Sequence, residues 1–418
     1  MAPIRRLPLS GLKFSFSAGK YRSFFTVLVK IRILGYDNII MLCFFSVKNF
    51  KGFRDTMPLN LSSSNYEFNH ECVQDGIVQK ALIYGYNGVG KSNFGLAIMD
   101  IIINLTDKKK DLLFTGNYRN AETGDGIVEF CYKFKFHGSE VEYQYGKTDP
   151  QPQSLVYESL SVNGECVVSY DRAQKTPLVI NLQGAQTLNR DISKISISVL
   201  KYIKSNAALE PSVEADALSA LFDFADRMLF FRNLDDRDYA GYSVGTDEIF
   251  TRIINNKHFA DFVDFLKSAG VPSNIEPRKF GSLYKVFFSY ETEKKVKNTI
   301  DFWENCSAGM RSLAVFFYWM QNDLFNGVSP SLVFIDEFDA FYDQRLSEFV
   351  IKKIKTIKGC QCILTTHDTW IMTNDLMRPD CLFLMHKDKM QAVSASTDKE
   401  LRFAHNIEKM YRAGAFDG

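Results

Sequence analysis

Residues 81–105 read ALIYGYNGVGKSNFGLAIMDIIINL: a short apolar run, a glycine-rich octet, and a segment whose apolar residues recur at helical spacing. The octet fits G-x-x-x-x-G-K-[ST], with Gly85, Gly90, Lys91 and Ser92 in the fixed places. Strand, loop and helix in that order constrain the fold strongly. The loop must emerge at the edge of a sheet, and the N–H groups of the helix start must face whatever the loop encloses. The expected contacts of a bound nucleotide are Gly85, Asn87, Gly88, Val89, Gly90, Lys91, Ser92 and Asn93. Glycines let the backbone curl round a β-phosphate, Lys91 reaches the β- and γ-oxygens, and the Ser92 hydroxyl binds Mg²⁺. ATP and Mg²⁺ are the expected cofactors, and without nucleotide Lys91 is expected to face solvent.

A second constellation is SLVFIDEFDAFYD, residues 331–343. Its apolar body ends in Asp336 and Glu337, the pattern of a buried strand with two acids at its carboxyl end. Asp336 is expected to hold Mg²⁺ through water and Glu337 to polarise an attacking water. CSAGMRS, residues 306–312, lies between the two motifs, with Ser307 placed 29 residues ahead of Asp336. Taken alone, Ser307 and Gly309 read as a helix N-cap and a tight turn. His367, in ILTTHD, follows Glu337 by 30 residues and taken alone reads as a structural histidine.

In this order the four motifs resemble the ABC-type ATPases, the superclass that includes the chromosome-maintenance and recombination-repair ATPases. That resemblance implies an α/β fold: an ABC-type P-loop head with an antiparallel β lobe and a helical insertion. It also implies that Ser307 and Gly309 of one subunit touch the γ-phosphate held by another, and that His367 senses that phosphate. Asp343 falls where an acid would cross the dimer interface, although a surface-loop acid fits it almost as well. Gln144, Gln151 and Gln153 all follow the octet, and nothing selects one of them as the glutamine that such ATPases carry.

The segments around these motifs set the expected organisation. GIVEFCYKFKF, EVEYQYG, SLVYESLSVNG and ECVVSYDR alternate at period two, as an antiparallel lobe does. Residues 41–190 are expected to hold the octet and this lobe, 191–275 a helical insertion, and 276–418 a second lobe of the head ending in strands alternating with helices. Residues 1–40 carry seven Lys or Arg and a single acid, Asp37. They pass for a transit peptide, but Met41 opens a fresh strand, and an appendage without chemistry is the preferred reading.

Fifty Lys plus Arg against forty-nine Asp plus Glu give a net charge of +1, so a polyanion would need a local basic patch. The Lys-rich stretch FVIKKIKTIKG reads as a solvated helix face. Eight cysteines without paired CxxC spacing point to structural thiols in a reducing cytosol, and no apolar run is long enough to span a bilayer.

MLCFFSVKNFKGFRD, EVEYQYG with LVYESL, DEFDAFYD and the closing LRFAHNIEKMYRAGAFDG narrow the resemblance to compact ABC-like ATPases of bacterial anti-phage and abortive-infection operons, including the PARIS ATPase and RloA-like proteins. The stretch after Asp343 is too short for the TOPRIM nuclease that some relatives carry, and no heptad arm separates Lys91 from Asp336. Three functions are therefore weighed. The favoured one is a cytoplasmic, homo-oligomeric switch ATPase controlling a separately encoded effector, expected to be a nuclease. The alternatives are a repair ATPase of the recombination-mediator type that binds DNA directly, and a transporter subunit, against which the β-rich lobe argues.

Overall fold

The computed structural model describes residues 40–106, 108, 116–124, 126–151, 154–174, 177–191, 197–233, 238–241, 249–321 and 329–416. Residues 1–39, all but the last residue of the stretch 1–40 expected to be an appendage, and Gln153 lie outside them. The chain begins with β1 (Met41–Lys48), β2 (Met57–Asn60), the short β3 (Val73–Gln74) and β4 (Ile77–Val78), then β5 (Lys80–Tyr84) and α1 (Lys91–Leu105). Next come β6 (Val128–Phe136), β7 (Ser139–Lys147), β8 (Leu155–Val162), β9 (Glu165–Asp171) and β10 (Val179–Ile180). Helices α2 (Val199–Asn206) and α3 (Val213–Asp226) precede β11 (Leu229–Asn233) and β12 (Asp238–Gly241). They are followed by α4 (Ile249–Asn255), α5 (Phe259–Ser268), β13 (Ile275–Phe280), β14 (Leu283–Glu291) and β15 (Lys297–Asp301). The last part holds α6 (Phe302–Asn305), α7 (Ala308–Met320), β16 (Leu332–Ile335), α8 (Gln344–Thr356), β17 (Gln361–Thr366), β18 (Leu382–Met385), β19 (Met390–Ala392) and α9 (Ile407–Arg412).

The expected α/β architecture is present: a core sheet faces an antiparallel lobe across α1. Among the described residues the core sheet has the order β12-β11-β16-β17-β5-β18-β19, in which β11, β16, β17, β5 and β18 run parallel. Every residue of β5 and of β17 is buried, as parallel strands covered on both faces require. The lobe has the order β10-β9-β8-β7-β6-β1-β2, with antiparallel pairing throughout. The strand that opens at Met41 is thus an inner strand of the lobe, paired with both β2 and β6.

Helix α1 is apolar on nearly all sides because it is covered on two faces. Toward the core sheet, a Cβ on Gly95 would stand 2.4 Å from the Phe334 ring and 2.8 Å from that of Phe230, so only glycine permits this approach. Toward the lobe, Phe45 meets Phe94 edge to face, and the Tyr132 hydroxyl donates to the carbonyls of Ala97 and Ile98. The one charge on this face is Asp100, whose carboxylate lies 2.5 Å from the Lys147 ammonium and accepts from the Tyr118 and Tyr145 hydroxyls at 2.9 Å. Burial pushes the Lys147 ammonium down from its ordinary pKa, and the Asp100 carboxylate opposes this. A second buried carboxylate, Glu158 on β8, accepts from Tyr143, Ser198 and the Val199 amide, tying the lobe to the start of α2.

One expectation is revised. Residues 191–275 are not wholly helical, since β11 and β12 extend the core sheet and β11 pairs with β16 through Leu229↔Val333 and Phe230↔Phe334. The apolar run MLFF continues the spacing of α3, and a short buried strand cannot be told from a buried helix by periodicity. SLYKVFFSY belongs to a separate three-stranded sheet, β13-β14-β15, that leads into α6 and α7. All eight cysteines are free thiols.

The Asp100–Lys147 pair carries a stability prediction. Lys147→Met strands a carboxylate in the core and should cost about 3–5 kcal/mol, whereas Asp100→Leu combined with Lys147→Met should recover most of the loss. Urea unfolding measures both. A loss under about 1 kcal/mol for the single variant would show that the pair does not hold the two layers together.

Candidate nucleotide-binding site

The neighbours β16, β17 and β5 are parallel, so their carboxyl ends open on one edge of the core sheet. The glycine-rich loop leaves β5, the acids leave β16, and His367 leaves β17. The Gly85 amide donates to the Thr366 carbonyl at 3.3 Å, pinning the loop's first residue to the end of the strand that precedes His367. Gly90 caps α1 with φ of 108°, a left-handed conformation that lets the loop close over the helix start.

Lys91 does not face solvent as expected. It is only 5% exposed, and its ammonium donates to the Gly85 carbonyl at 2.6 Å and the Tyr86 carbonyl at 3.2 Å. The curl of the loop turns these carbonyls inward, where an ammonium satisfies them. Burial lowers its pKa, against the pull of the Glu337, Asp336 and Asp339 carboxylates. Asp336 is 3% exposed and raised from the ordinary carboxylate pKa by burial, while the Thr365 hydroxyl and the nearby Ser92 hydroxyl oppose the shift. Glu337 is exposed, its backbone has φ of 45°, and its amide donates to Thr365 Oγ1 at 2.8 Å.

The structure therefore brings together Lys91, Ser92, Asp336 and Glu337, with His367 beside them through Asp339. Asn87 and Gly88 are exposed, Val89 is half-buried in the loop, and Asn93 lies in the first turn of α1. Beside Asn93 opens a cavity of about 690 Å³, lined in part by Lys51, Gly52, Asn117, Arg119 and Asn120.

Ser307 and Gly309 are placed differently. Ser307 is exposed and caps α7, its hydroxyl accepting from the Met310 amide at 3.3 Å, so the N-cap reading is correct whatever else the residue does. Gly309 is buried, and a Cβ there would lie 2.7 Å from the Phe341 carbonyl. Its glycine is thus required by packing against the turn that follows Glu337. Asp343 caps α8 through the Leu346 amide at 2.8 Å. Gln144 pairs with Glu142 on the opposite face of β7 from Tyr143 and Tyr145, and so points away from α1. Gln151 lies at the exposed end of the β7–β8 connection.

Sequence reasoning missed three polar residues of this cluster. Thr365 donates to Asp336 at 2.7 Å, and Thr366 donates to Asp339 at 2.5 Å while accepting from the Asp368 amide at 2.9 Å. The available signals were two hydroxyls at the end of an otherwise apolar strand and an acid three residues after Asp336. Among the described residues no group of three or more His, Cys, Asp or Glu is arranged to hold a metal, and no helix is long and apolar enough to cross a membrane.

Asp339 yields a pH prediction. Burial pushes its carboxyl up to about 6, with the Thr366 hydroxyl, its own amide and His367 pulling down and Asp368 pushing up. The folded pKa exceeds the unfolded one, so this group's contribution is fully present below about pH 4 and is lost as pH rises through about 6, by about 3 kcal/mol. Asp339→Asn should flatten the fall of folding stability across that window, as measured by urea unfolding at a series of pH values. An unchanged slope would show an ordinary carboxyl.

No curated protein sequence matches the chain significantly. Among solved structures it is similar to the SMC head domain from Thermotoga maritima, with 16% identity, a TM-score of 0.39, and coverage of 84% of this chain and 98% of that one. It is also similar to the recombination mediator protein RecF with ATP, at 12% identity and a TM-score of 0.37, covering 85% of this chain and 99% of that one. A family model described as "AAA domain, putative AbiEii toxin, Type IV TA system" matches residues 80–373, which run from the first residue of β5 past Asp336, Glu337 and His367. That match covers more than half of the sequence, and the chain belongs to this AAA-domain family.

Proposed function

We propose that this protein is an ATP-binding and hydrolysing switch ATPase of a bacterial anti-phage system, closing as a dimer around nucleotide and controlling a separately encoded effector, a nuclease or similar toxic enzyme. The observation that carries the reading is that Ser92, in the first turn of α1, lies close to the buried Asp336 carboxylate, with Lys91 folded onto the loop carbonyls and Glu337 exposed beside them. A hydroxyl and a carboxylate are hard oxygen donors, and together with phosphate oxygens they suit Mg²⁺, which takes few protein ligands. When bound, the metal supplies charge neutralisation at the β- and γ-phosphates.

The chain's own residues supply the rest. The loop amides and Lys91 bind and orient the phosphates, Lys91 exchanging its Gly85 and Tyr86 carbonyls for phosphate oxygens. Glu337 accepts a proton from the attacking water, and the cavity beside Asn93 has the size to take a nucleoside. Closure draws on an exposed edge: Ser307 is open, His367 is 44% exposed, and Phe341, against whose carbonyl Gly309 packs, is 39% exposed. An exposed phenyl beside an exposed helix cap suits a contact with a second copy. The family description, which speaks of a toxin and a type IV toxin–antitoxin system, supports the defence context.

Glu337→Gln keeps the shape of the side chain and removes the base. ATP should still bind, turnover should fall by about 100-fold or more, and a nucleotide-bound dimer should accumulate on size exclusion. Wild-type turnover by this variant would overturn the assignment. Mixing Lys91→Ala with Ser307→Arg chains, each inactive alone, should restore activity through one intact composite site per mixed dimer. Verified mixed dimers without recovery would make each site self-contained. Phage plating with and without the neighbouring gene, together with pull-down of its product, tests the effector.

A further inference from the structure

Thr365 touches three consecutive residues of the acidic turn. Its hydroxyl donates to Asp336 Oδ1 at 2.7 Å and accepts from the Glu337 amide at 2.8 Å, and its carbonyl accepts from the Phe338 amide at 3.2 Å. A hydroxyl has one proton to give, and here it goes to the carboxylate, which leaves a lone pair for the amide. That fixes the direction of both bonds. The site is sealed, since Thr365 is fully buried at the end of β17. Glu337 carries φ of 45°, a left-handed conformation that a non-glycine residue keeps only where its surroundings hold it. Hydrogen bonds to its own amide and to that of the next residue supply this hold, and both come from Thr365.

We propose that Thr365 is the positioning residue for hydrolysis: through its hydroxyl it holds the turn in the conformation that presents the Glu337 carboxylate outward, while it orients the neighbouring Asp336. The inference rests on the reading of Glu337 as the base. It assigns to β17 a role beyond carrying His367, because the same strand end sets the geometry of the acids that leave β16. Thr366, one position on, holds Asp339 and the Asp368 amide in the same manner, so the turn before α8 and the turn after β17 are latched by adjacent hydroxyls.

The test separates positioning from stability. Thr365→Val keeps the side-chain shape and removes both hydroxyl bonds, and Thr365→Ser keeps both bonds and removes a methyl group. The full-length wild type and each variant are compared by kcat at saturating ATP and Mg²⁺, by ATP affinity from equilibrium binding, and by melting temperature. For Thr365→Val, kcat should fall about 30- to 100-fold, the loss typical of a displaced catalytic group, while ATP affinity changes by less than about threefold. Thr365→Ser should restore kcat to within about threefold of wild type, even if its melting temperature is the lower of the two variants. Wild-type kcat in Thr365→Val, or an equal loss in Thr365→Ser, would overturn the proposal. Should Thr365→Val not fold, Thr365→Cys, a weaker donor of similar size, must lower kcat by at least about tenfold for the proposal to stand. Absence of turnover in the wild type itself would instead defeat the ATPase reading, so the two failures are distinct.

Discussion

Helix α1 has to be buried on two sides at once, and the pairing of Asp100 with Lys147 is the interaction that makes this possible. One turn of the helix faces Phe230 and Phe334 of the core sheet, and the opposite side faces a wall of aromatic residues from β1, β6 and β7. A purely apolar helix could slide or rotate between two such surfaces, since dispersion contacts have little directionality. A carboxylate held by one ammonium and two phenol hydroxyls has a single geometry that satisfies all of them. Because the first turn of α1 carries Lys91 and Ser92, the register set at Asp100 is also the register of the phosphate-binding loop.

The site follows from strand order. With β17 placed between β16 and β5, the end of the central strand can reach both neighbours, and it does so through Thr365 toward the acids and through the Thr366 carbonyl toward Gly85. Charge is managed without exposing it. Asp336 sits under the Thr365 hydroxyl, Lys91 is folded onto carbonyls, and Glu337 alone among these groups is turned outward. The CSAGMRS turn joins the same framework at a different point, where Gly309 lets α7 approach the backbone of Phe341. A movement of the turn after Glu337 therefore meets α7 directly, because there is no side chain between them to absorb it.

Much of this was legible in the amino-acid order. The octet at 85–92 named its strand and helix because both flanks are long enough to show their period, and the four alternating segments read as an antiparallel lobe for the same reason. Reading failed where a pattern was shared by two structures. MLFF continues the spacing of α3 yet forms β11, and Lys91 was assigned to solvent because its carbonyl partners belong to backbone, which has no signature in a sequence.

Local sequence by itself determined the elements and the chemical kinds of group in the site, because glycine spacing, a terminal pair of acids and apolar periodicity each act within about ten to twenty residues. Tertiary structure alone decided which groups meet. Thr365 and Asp336 are 29 residues apart and Asp100 and Lys147 are 47 apart, and their contacts exist only once parallel β16 and β17 are in register and α1 is enclosed. The φ of Glu337 was decided at the same level, since a left-handed glutamate has no local cause and is held by a hydroxyl from another strand.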